Sequence, residues 1–528
     1  MFATDWLARR EALTPDDVAL VDATRDRRRI TFREWNRSAI RTARWLRDRC
    51  GVNKGDRVSV LAQSSVAYLD VWFACAKLGA VLVNLNTRLS ARELAAILAQ
   101  ATPKVMIHGP EQAAQIAELR AAAPSIERWV ALEKASEQGD LAFEERDLAS
   151  DDPLPPAPID DDDPWVLCFT GGTTGRPKGA VLTHRAITAN AINTVISWGL
   201  TARDTAILDA PLFHTGGLNV FTAPLVYVGG TSVLCRGFDE ARFFDLVESE
   251  RATLYFAVPT VFLRIAEHAR FHAADLSRLR LVISGGAPCP LPLFERYWAR
   301  GLPFRSGYGL TEAGPNNFGI SADEARKKPG SVGAPLMHVT TLIARADGTE
   351  CAPEEVGELL LRGPHLCAGY DRNPEATAAA FHPRACDPSG PVWLHTGDLA
   401  RRDADGAHYI VGRSKDMFIS GGENVYPAEI ESVLHGHPRI AEAAVIGAPD
   451  AKWGEIGVAF VVARPVTGSS ENEGDLDLSE EALRAFVRAS LAGYKVPKRF
   501  VIASELPKTG AGKIDKKLLL EGWSAESR

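Results

Sequence analysis

The segment Phe169-Thr-Gly-Gly-Thr-Thr-Gly-Arg-Pro-Lys-Gly179 carries a dense set of groups able to hold an anion. Gly171, Gly172 and Gly175 permit positive φ and let backbone N–H groups close on a phosphate. Thr170, Thr173 and Thr174 add hydroxyl donors, and Lys178 adds a positive charge. The segment does not fit G-x-x-x-x-G-K-[ST], and it does not fit G-x-G-x-x-G, which disfavours a dinucleotide fold. Taken alone, it reads equally as a phosphate cradle or as an ordinary glycine turn. It follows an apolar strand at 165–169 and is expected to lead into a helix at 186–198.

Five further segments lie downstream: Pro211-Leu-Phe-His-Thr-Gly-Gly217, Gly307-Tyr-Gly-Leu-Thr-Glu312, Trp393-Leu-His-Thr-Gly-Asp398, Gly412-Arg-Ser-Lys-Asp416 and Pro507-Lys-Thr-Gly-Ala-Gly-Lys513. In order and spacing the six resemble the motifs of the acyl-adenylate-forming superfamily. That superfamily includes acyl-CoA synthetases, aryl-CoA ligases, peptide-synthetase adenylation domains and firefly luciferase. The resemblance runs from about residue 10 to 520. Gly171 stands where the family signature has serine, which removes one hydroxyl contact to pyrophosphate.

The reaction that the resemblance implies joins two anions: a carboxylate attacks the α-phosphorus of ATP while pyrophosphate leaves. Charge must be neutralised and the reactants held in line. The resemblance makes Glu312 the Mg²⁺ ligand and Thr311 an α-phosphate contact. A hard cation that keeps several waters suits one carboxylate plus phosphate oxygens. Tyr308 is expected to stack on adenine, with Gly309 in the same turn and Gly285, Gly286 and Ala287 at the adenine edge. Asp398 would accept the ribose hydroxyls, and Arg413 would contact the nucleotide. Lys513 would be the catalytic lysine bridging carboxylate and phosphate. His214 would border the acyl pocket, a positioning role, with Phe213, Leu218, Asn219 and Gly307 as pocket residues. Lys415 maps to the pivot on which a small domain rotates between the two half-reactions, and Ser420, Gly421 and Gly422 map to the coenzyme A face.

Elements must bring these residues together. Short apolar runs near 57–61, 165–169, 254–258 and 279–284, each followed by a loop and a helical period, indicate strands buried on both faces of a parallel sheet. The expected fold is therefore α/β. A large N-terminal AMP-binding domain, 1–413, has layered sheets and helices, and a small mobile α+β domain, 414–528, carries the catalytic lysine. Within the latter, Pro427 suits a first helical turn, strands are expected at 443–446 and 458–462, and Ser479 can cap a helix. Residues 150–164 and 467–478 are polar, acidic connectors.

The 528 residues have 46% hydrophobic and 24% charged content, which is ordinary globular composition. The net charge of -7, with no dominating basic run, argues against nucleic acid as a partner. None of the eight cysteines forms a C-x-x-C pair, so they read as reduced thiols in a cytoplasmic protein. No secretion signal or transmembrane segment is expected; the apolar stretch 71–85 reads as a buried helix and strand. The oligomeric state is not fixed by sequence, and a homodimer is compatible with it.

The leading expectation is an AMP-forming acyl-CoA synthetase. It would convert an aliphatic medium- or long-chain fatty acid, or an aryl acid, to acyl-AMP and then to acyl-CoA, using ATP, Mg²⁺ and coenzyme A. The alternative is a ligase that loads a separate carrier protein. His214 stands where amino-acid adenylation domains usually have aspartate, which disfavours an amino-acid substrate, and no carrier domain follows Lys513. A non-catalytic nucleotide-binding relative is disfavoured by Lys513, Glu312 and Asp398, and a luciferase-type oxygenase is the remotest reading.

Overall fold

The structure is a computed structural model describing residues 4–132, 139–170, 177–450, 452–464, 477–509 and 514–526. Its strands form four sheets. The first runs, in spatial order, Phe304–Ser306, Leu281–Ser284, Leu254–Ala257, Thr205–Leu208, Thr231–Leu234, Val18–Asp22 and Arg28–Thr31. The second runs Leu141–Ala142, Arg128–Ala131, Val105–His108, Arg57–Leu61, Val81–Asn84, Pro164–Thr170 and Lys178–Thr183. Each is parallel except for one terminal strand added by a hairpin. Buried on both faces, the parallel strands carry continuous Val, Ile and Leu runs, which is why the apolar runs of the sequence located them.

The third sheet is antiparallel and includes Trp393–Arg402, His408–Arg413 and Gly357–Arg362. One hydrophobic core joins all three sheets. It holds Leu208 and Ile283 from the first, Val60 and Val166 from the second, and Leu359 and Leu394 from the third. Helices Phe32–Asp48 and Val66–Leu78 wedge Trp35, Trp72 and Phe73 into this core, where Trp72 stacks on Trp165 at 5.1 Å. The stretch 71–85 is thus the end of a buried helix followed by strand Val81–Asn84.

The fourth sheet contains Glu423–Val425, Phe418–Ser420, Gly454–Ala463, Ile440–Asp450 and Arg499–Ala503. Its two apolar cores draw only on residues from Phe418 onward. Pro427 opens helix Pro427–His435, and the Ser479 hydroxyl accepts the Ala482 N–H at the start of helix Glu480–Ser490.

One local expectation is corrected. The glycine-rich segment does not run from strand into helix. It joins two antiparallel strands, Pro164–Thr170 and Lys178–Thr183, with Thr170 opposite Lys178, and helix His184–Trp198 begins only afterwards. The run Ala180-Val-Leu-Thr183 is short, with Ala180 and Leu182 buried and Val181 half-buried, and it pairs as the last strand of its sheet before the Thr183 side chain caps the helix.

Candidate active site

Two neighbouring parallel strands build one wall. Leu281–Ser284 ends in Gly285, whose N–H reaches the Ala257 carbonyl at 3.1 Å, and Gly307 N–H reaches the Ser284 carbonyl at 2.8 Å. The turns 285–287 and 307–309 are therefore side by side, and Gly286 adopts φ +79°. At Gly309 a Cβ would lie 2.1 Å from the Pro315 carbonyl oxygen, so the turn requires glycine there. It delivers Tyr308, Thr311 and Glu312 to one edge; Thr311 is buried and Glu312 half-buried.

The antiparallel sheet meets this edge from another side. Asp398 and Arg413 are cross-strand partners, and Arg413 Nε lies 2.9 Å from Asp398 Oδ1. The Tyr308 hydroxyl donates to Asp398 Oδ2 at 2.6 Å. Asp398 is only 5% exposed, and the pair to a half-exposed arginine keeps a buried carboxylate compensated. Burial and the Asp398 charge push the Tyr308 phenol far up, so it stays an O–H donor. Burial opposes the Arg413 charge, but Asp398 and Tyr308 outweigh it and raise its pKa. Glu312 contributes to the same field at Arg413.

The glycine-loop hairpin supplies the third component. Its exit strand pairs with residues 367–371: Val181 N–H donates to Gly369 O, Ala368 N–H to Val181 O and Asp371 N–H to Gly179 O, at 2.9, 2.9 and 2.7 Å. Cys367 N–H ties this stretch to the Glu312 carbonyl at 2.8 Å. Tyr370 then sits between Lys178, whose Nζ is 5.2 Å from the ring centroid, and Glu312, whose Oε1 accepts the Tyr370 hydroxyl at 2.8 Å. Arg57 anchors the stretch from below with a bidentate pair to Asp371 at 2.9 and 2.7 Å. Tyr370 was missed in the sequence because no spacing rule links position 370 to 178 or 312.

Among the described residues no group of three or more His, Cys, Asp or Glu side chains could hold a metal. One half-exposed carboxylate with a neutral donor on a single oxygen fits a magnesium ion that keeps its waters and takes its other ligands from phosphates. Cys168, which packs against Thr311, has its thiol pushed up to about 12 by burial and offers no thiolate.

His214 caps the short helix Thr215–Asn219 and its Nδ1 accepts the Gly216 N–H at 3.4 Å. Phe213, Leu218 and Asn219 are buried, Leu218 in the main core and Asn219 bonded to Thr215 and Asn190. The Phe256 ring lies against Gly216, two residues after His214. Added Cβ atoms at Gly216 and Gly285 would lie 3.4 and 3.0 Å from its ring, and Gly307 borders Gly285. Behind Gly216, Gly217 and Phe256 lies a small cavity lined almost wholly by apolar atoms.

Lys415 is exposed just after the Asp398–Arg413 pair. Ser420 and Glu423 flank a two-residue hairpin turn in which Gly421 and Gly422 have φ +61° and +87°, the left-handed pair that such a turn demands. Trp453, absent from the sequence reading, packs over Gly421 with Lys452 and Lys498 ammonium groups at 5.1 and 5.0 Å. Gly171, Gly172, Thr173, Thr174, Gly175 and Lys513 lie outside the described residues.

Among the described residues the geometry brings Lys178, the nucleotide candidates Tyr308, Asp398 and Arg413, and the metal candidate Glu312 to one edge. Residues 7–371 match the AMP-binding enzyme family, and residues 429–513 match the AMP-binding enzyme C-terminal domain. The chain belongs to the AMP-binding enzymes. It is an acid–thiol ligase of the AMP-forming class. This AMP-binding enzyme is 41% identical to the feruloyl-CoA synthase of an Amycolatopsis species over 97% of each chain. It is 36% identical to the indoleacetate–CoA ligase of Aromatoleum aromaticum, over 98% of this chain and 97% of that one. The crystal structure of ATP-bound MatB from Rhodopseudomonas palustris superposes with a TM-score of 0.87, at 30% identity over 100% of both chains.

Proposed function

We propose that this enzyme activates an aryl carboxylic acid with ATP and transfers the acyl group to coenzyme A. In the first half-reaction a carboxylate oxygen attacks the α-phosphorus and the bond to pyrophosphate breaks, giving acyl-AMP. In the second, the coenzyme A sulfur attacks the acyl carbon, its proton leaves to solvent, and the bond to the AMP phosphate breaks. The observation that carries the reading is two contact sets, Arg413–Asp398–Tyr308 and Glu312–Tyr370–Lys178, brought to one edge by the stretch 307–312 that carries both Tyr308 and Glu312.

In this reading Tyr308 and the turn 285–287 hold adenine, and Asp398 takes the ribose hydroxyls on oxygens already oriented by Tyr308 and Arg413. Lys178 and the glycine loop Gly171–Gly175 hold the β,γ-phosphates, and Thr311 meets the α-phosphate. Magnesium bound at Glu312 supplies electrostatic neutralisation of the triphosphate. Lys513 holds the substrate carboxylate against the α-phosphate, a preorganised charge of the kind worth about 10²–10³ in rate. Residues 1–413 form the nucleotide-binding body, while 414–528 pivot at Lys415 to exchange Lys513 for the Ser420–Gly422 turn. His214 positions the acyl end. The Phe256 ring beside Gly216 and Gly285 offers edge or face contact to an aromatic acid, in line with the names of the feruloyl and indoleacetate relatives.

The test is acid-dependent ATP–pyrophosphate exchange over aryl, short, medium and long aliphatic acids, followed by AMP release with coenzyme A or with acyl carrier protein. Exchange with no acid refutes the activity. Preference for fatty acids refutes the aryl assignment, and preference for carrier protein refutes the acceptor. Lys513→Ala should abolish acyl-AMP formation from ATP yet leave thioester formation from synthetic acyl-AMP; equal loss of both refutes its role.

A further inference from the structure

We infer that Tyr370 is a positioning residue that fixes two opposite charges, the Glu312 carboxylate and the Lys178 ammonium, around the leaving pyrophosphate. The inference rests on the proposed roles of Glu312 and Lys178. Tyr370 touches both: its hydroxyl donates to Glu312 Oε1 at 2.8 Å and its ring lies under Lys178 Nζ at 5.2 Å. No other side chain among the described residues donates to Glu312.

The contacts divide the work by atom. A carboxylate that offers one oxygen to a cation rotates freely unless its other oxygen is held, and a donor on the outer oxygen sets the orientation in advance. The Tyr370 hydroxyl donates to Oε1 alone and leaves Oε2 for a cation. The ring face holds the Lys178 ammonium without neutralising it, because the attraction is to the quadrupole. A salt bridge between Lys178 and Glu312 would cancel the charges that the pyrophosphate oxygens and the cation require. The ring separates them.

The backbone explains how Tyr370 holds its place. It pairs across to Ala180 in the strand carrying Lys178, its N–H donates to Thr377 Oγ1 at 2.9 Å, and Asp371 beside it is clamped by Arg57. Cys367, three residues earlier, ties to the backbone of Glu312. Any shift of the 367–371 stretch therefore moves cation holder and phosphate holder together.

Two variants separate the contacts. Tyr370→Phe removes the hydroxyl and keeps the ring; Tyr370→Leu removes both. The binding readout is Mn²⁺ affinity by electron paramagnetic resonance in the complex with α,β-methylene-ATP, which needs no turnover. Tyr370→Phe should weaken Mn²⁺ by about 10- to 100-fold and leave the affinity for metal-free nucleotide unchanged. It should raise the free Mg²⁺ needed for half-maximal pyrophosphate exchange by the same factor, with kcat at saturating Mg²⁺ recovering to within about threefold. Tyr370→Leu should in addition weaken pyrophosphate and metal-free nucleotide. Melting curves check that both variants fold. Wild-type Mn²⁺ affinity in Tyr370→Phe overturns the inference, as does loss of kcat that saturating Mg²⁺ does not restore. A wild-type enzyme that binds Mn²⁺ and nucleotide but shows no acid-dependent exchange would sink the proposed function and leave this comparison standing.

Discussion

Asp209 lies at the carboxyl end of strand Thr205–Leu208, buried, and accepts the Tyr255 hydroxyl at 2.6 Å. Burial pushes its carboxyl up to about 7 despite that hydrogen bond. Two buried histidines pull the other way. Burial brings down to about 4 both His184, stacked on Trp165 at 4.8 Å, and His365, whose Nε2 is 3.0 Å from Asn317 Oδ1. In an unfolded chain the same groups titrate near about 3.9 and 6.5. Above pH 4 the unfolded chain releases the Asp209 proton that the fold retains, so this group lowers stability by about 4 kcal/mol as pH climbs to 7. The histidines act in the opposite sense. Below pH 6.5 the unfolded chain binds protons that the fold refuses, so acidification to pH 4 costs about 3 kcal/mol for each. Asp209→Asn keeps an oxygen to accept the Tyr255 hydroxyl, places an amide NH₂ where the protonated carboxyl has its O–H, and removes the titration. The variant should nearly match wild type at pH 4 and exceed it by up to about 4 kcal/mol at pH 7.5, with a steeper loss on acidification. Urea midpoints at about pH 4.5, 6 and 7.5 read this difference, since all other titrating groups are common to both proteins. A pH-independent gap, or a variant weaker than wild type at the alkaline end, refutes the burial argument.

Asp398→Asn replaces one acceptor with a donor facing Tyr308 or Arg413, and should raise the KM for ATP by about 10- to 100-fold with a smaller fall in kcat, read by steady-state kinetics. Gly309→Ala forces a Cβ to 2.1 Å from a backbone oxygen that cannot yield, and should cost about 10²-fold in kcat/KM by displacing the Tyr308 turn. Its control is Gly237→Ala, where the new Cβ meets nothing within 4 Å and activity should persist.

The motif residues were legible in the sequence through the order and spacing in which they resemble those of the acyl-adenylate-forming superfamily, and the anion-holding character of 169–179 through its glycines, hydroxyls and lysine. The structure supplies a physical reason for two of these positions: a Cβ at Gly309 would strike the Pro315 carbonyl, and the Asp398 carboxylate accepts the Tyr308 hydroxyl and pairs with Arg413. The parallel strands were equally legible, since burial on both faces leaves an unbroken apolar run, and so was the helix that Ser479 caps. What the sequence could not specify was pairing between distant segments. The strand at Lys178–Thr183 was read as part of a lead-in to a helix because a short edge strand has too few residues to display a period. Tyr370 gained a role only when backbone bonds from residues 367–371 laid it beside Val181 and Glu312, nearly two hundred residues from one and about sixty from the other. Leu218 and Phe256 show the same limit from the other side. Both are apolar, but only the direction each strand or helix faces decides that Leu218 fills the core while the Phe256 ring lies against Gly216 and Gly285. Local chemistry is written in residue type; adjacency is set by the long-range packing of four sheets.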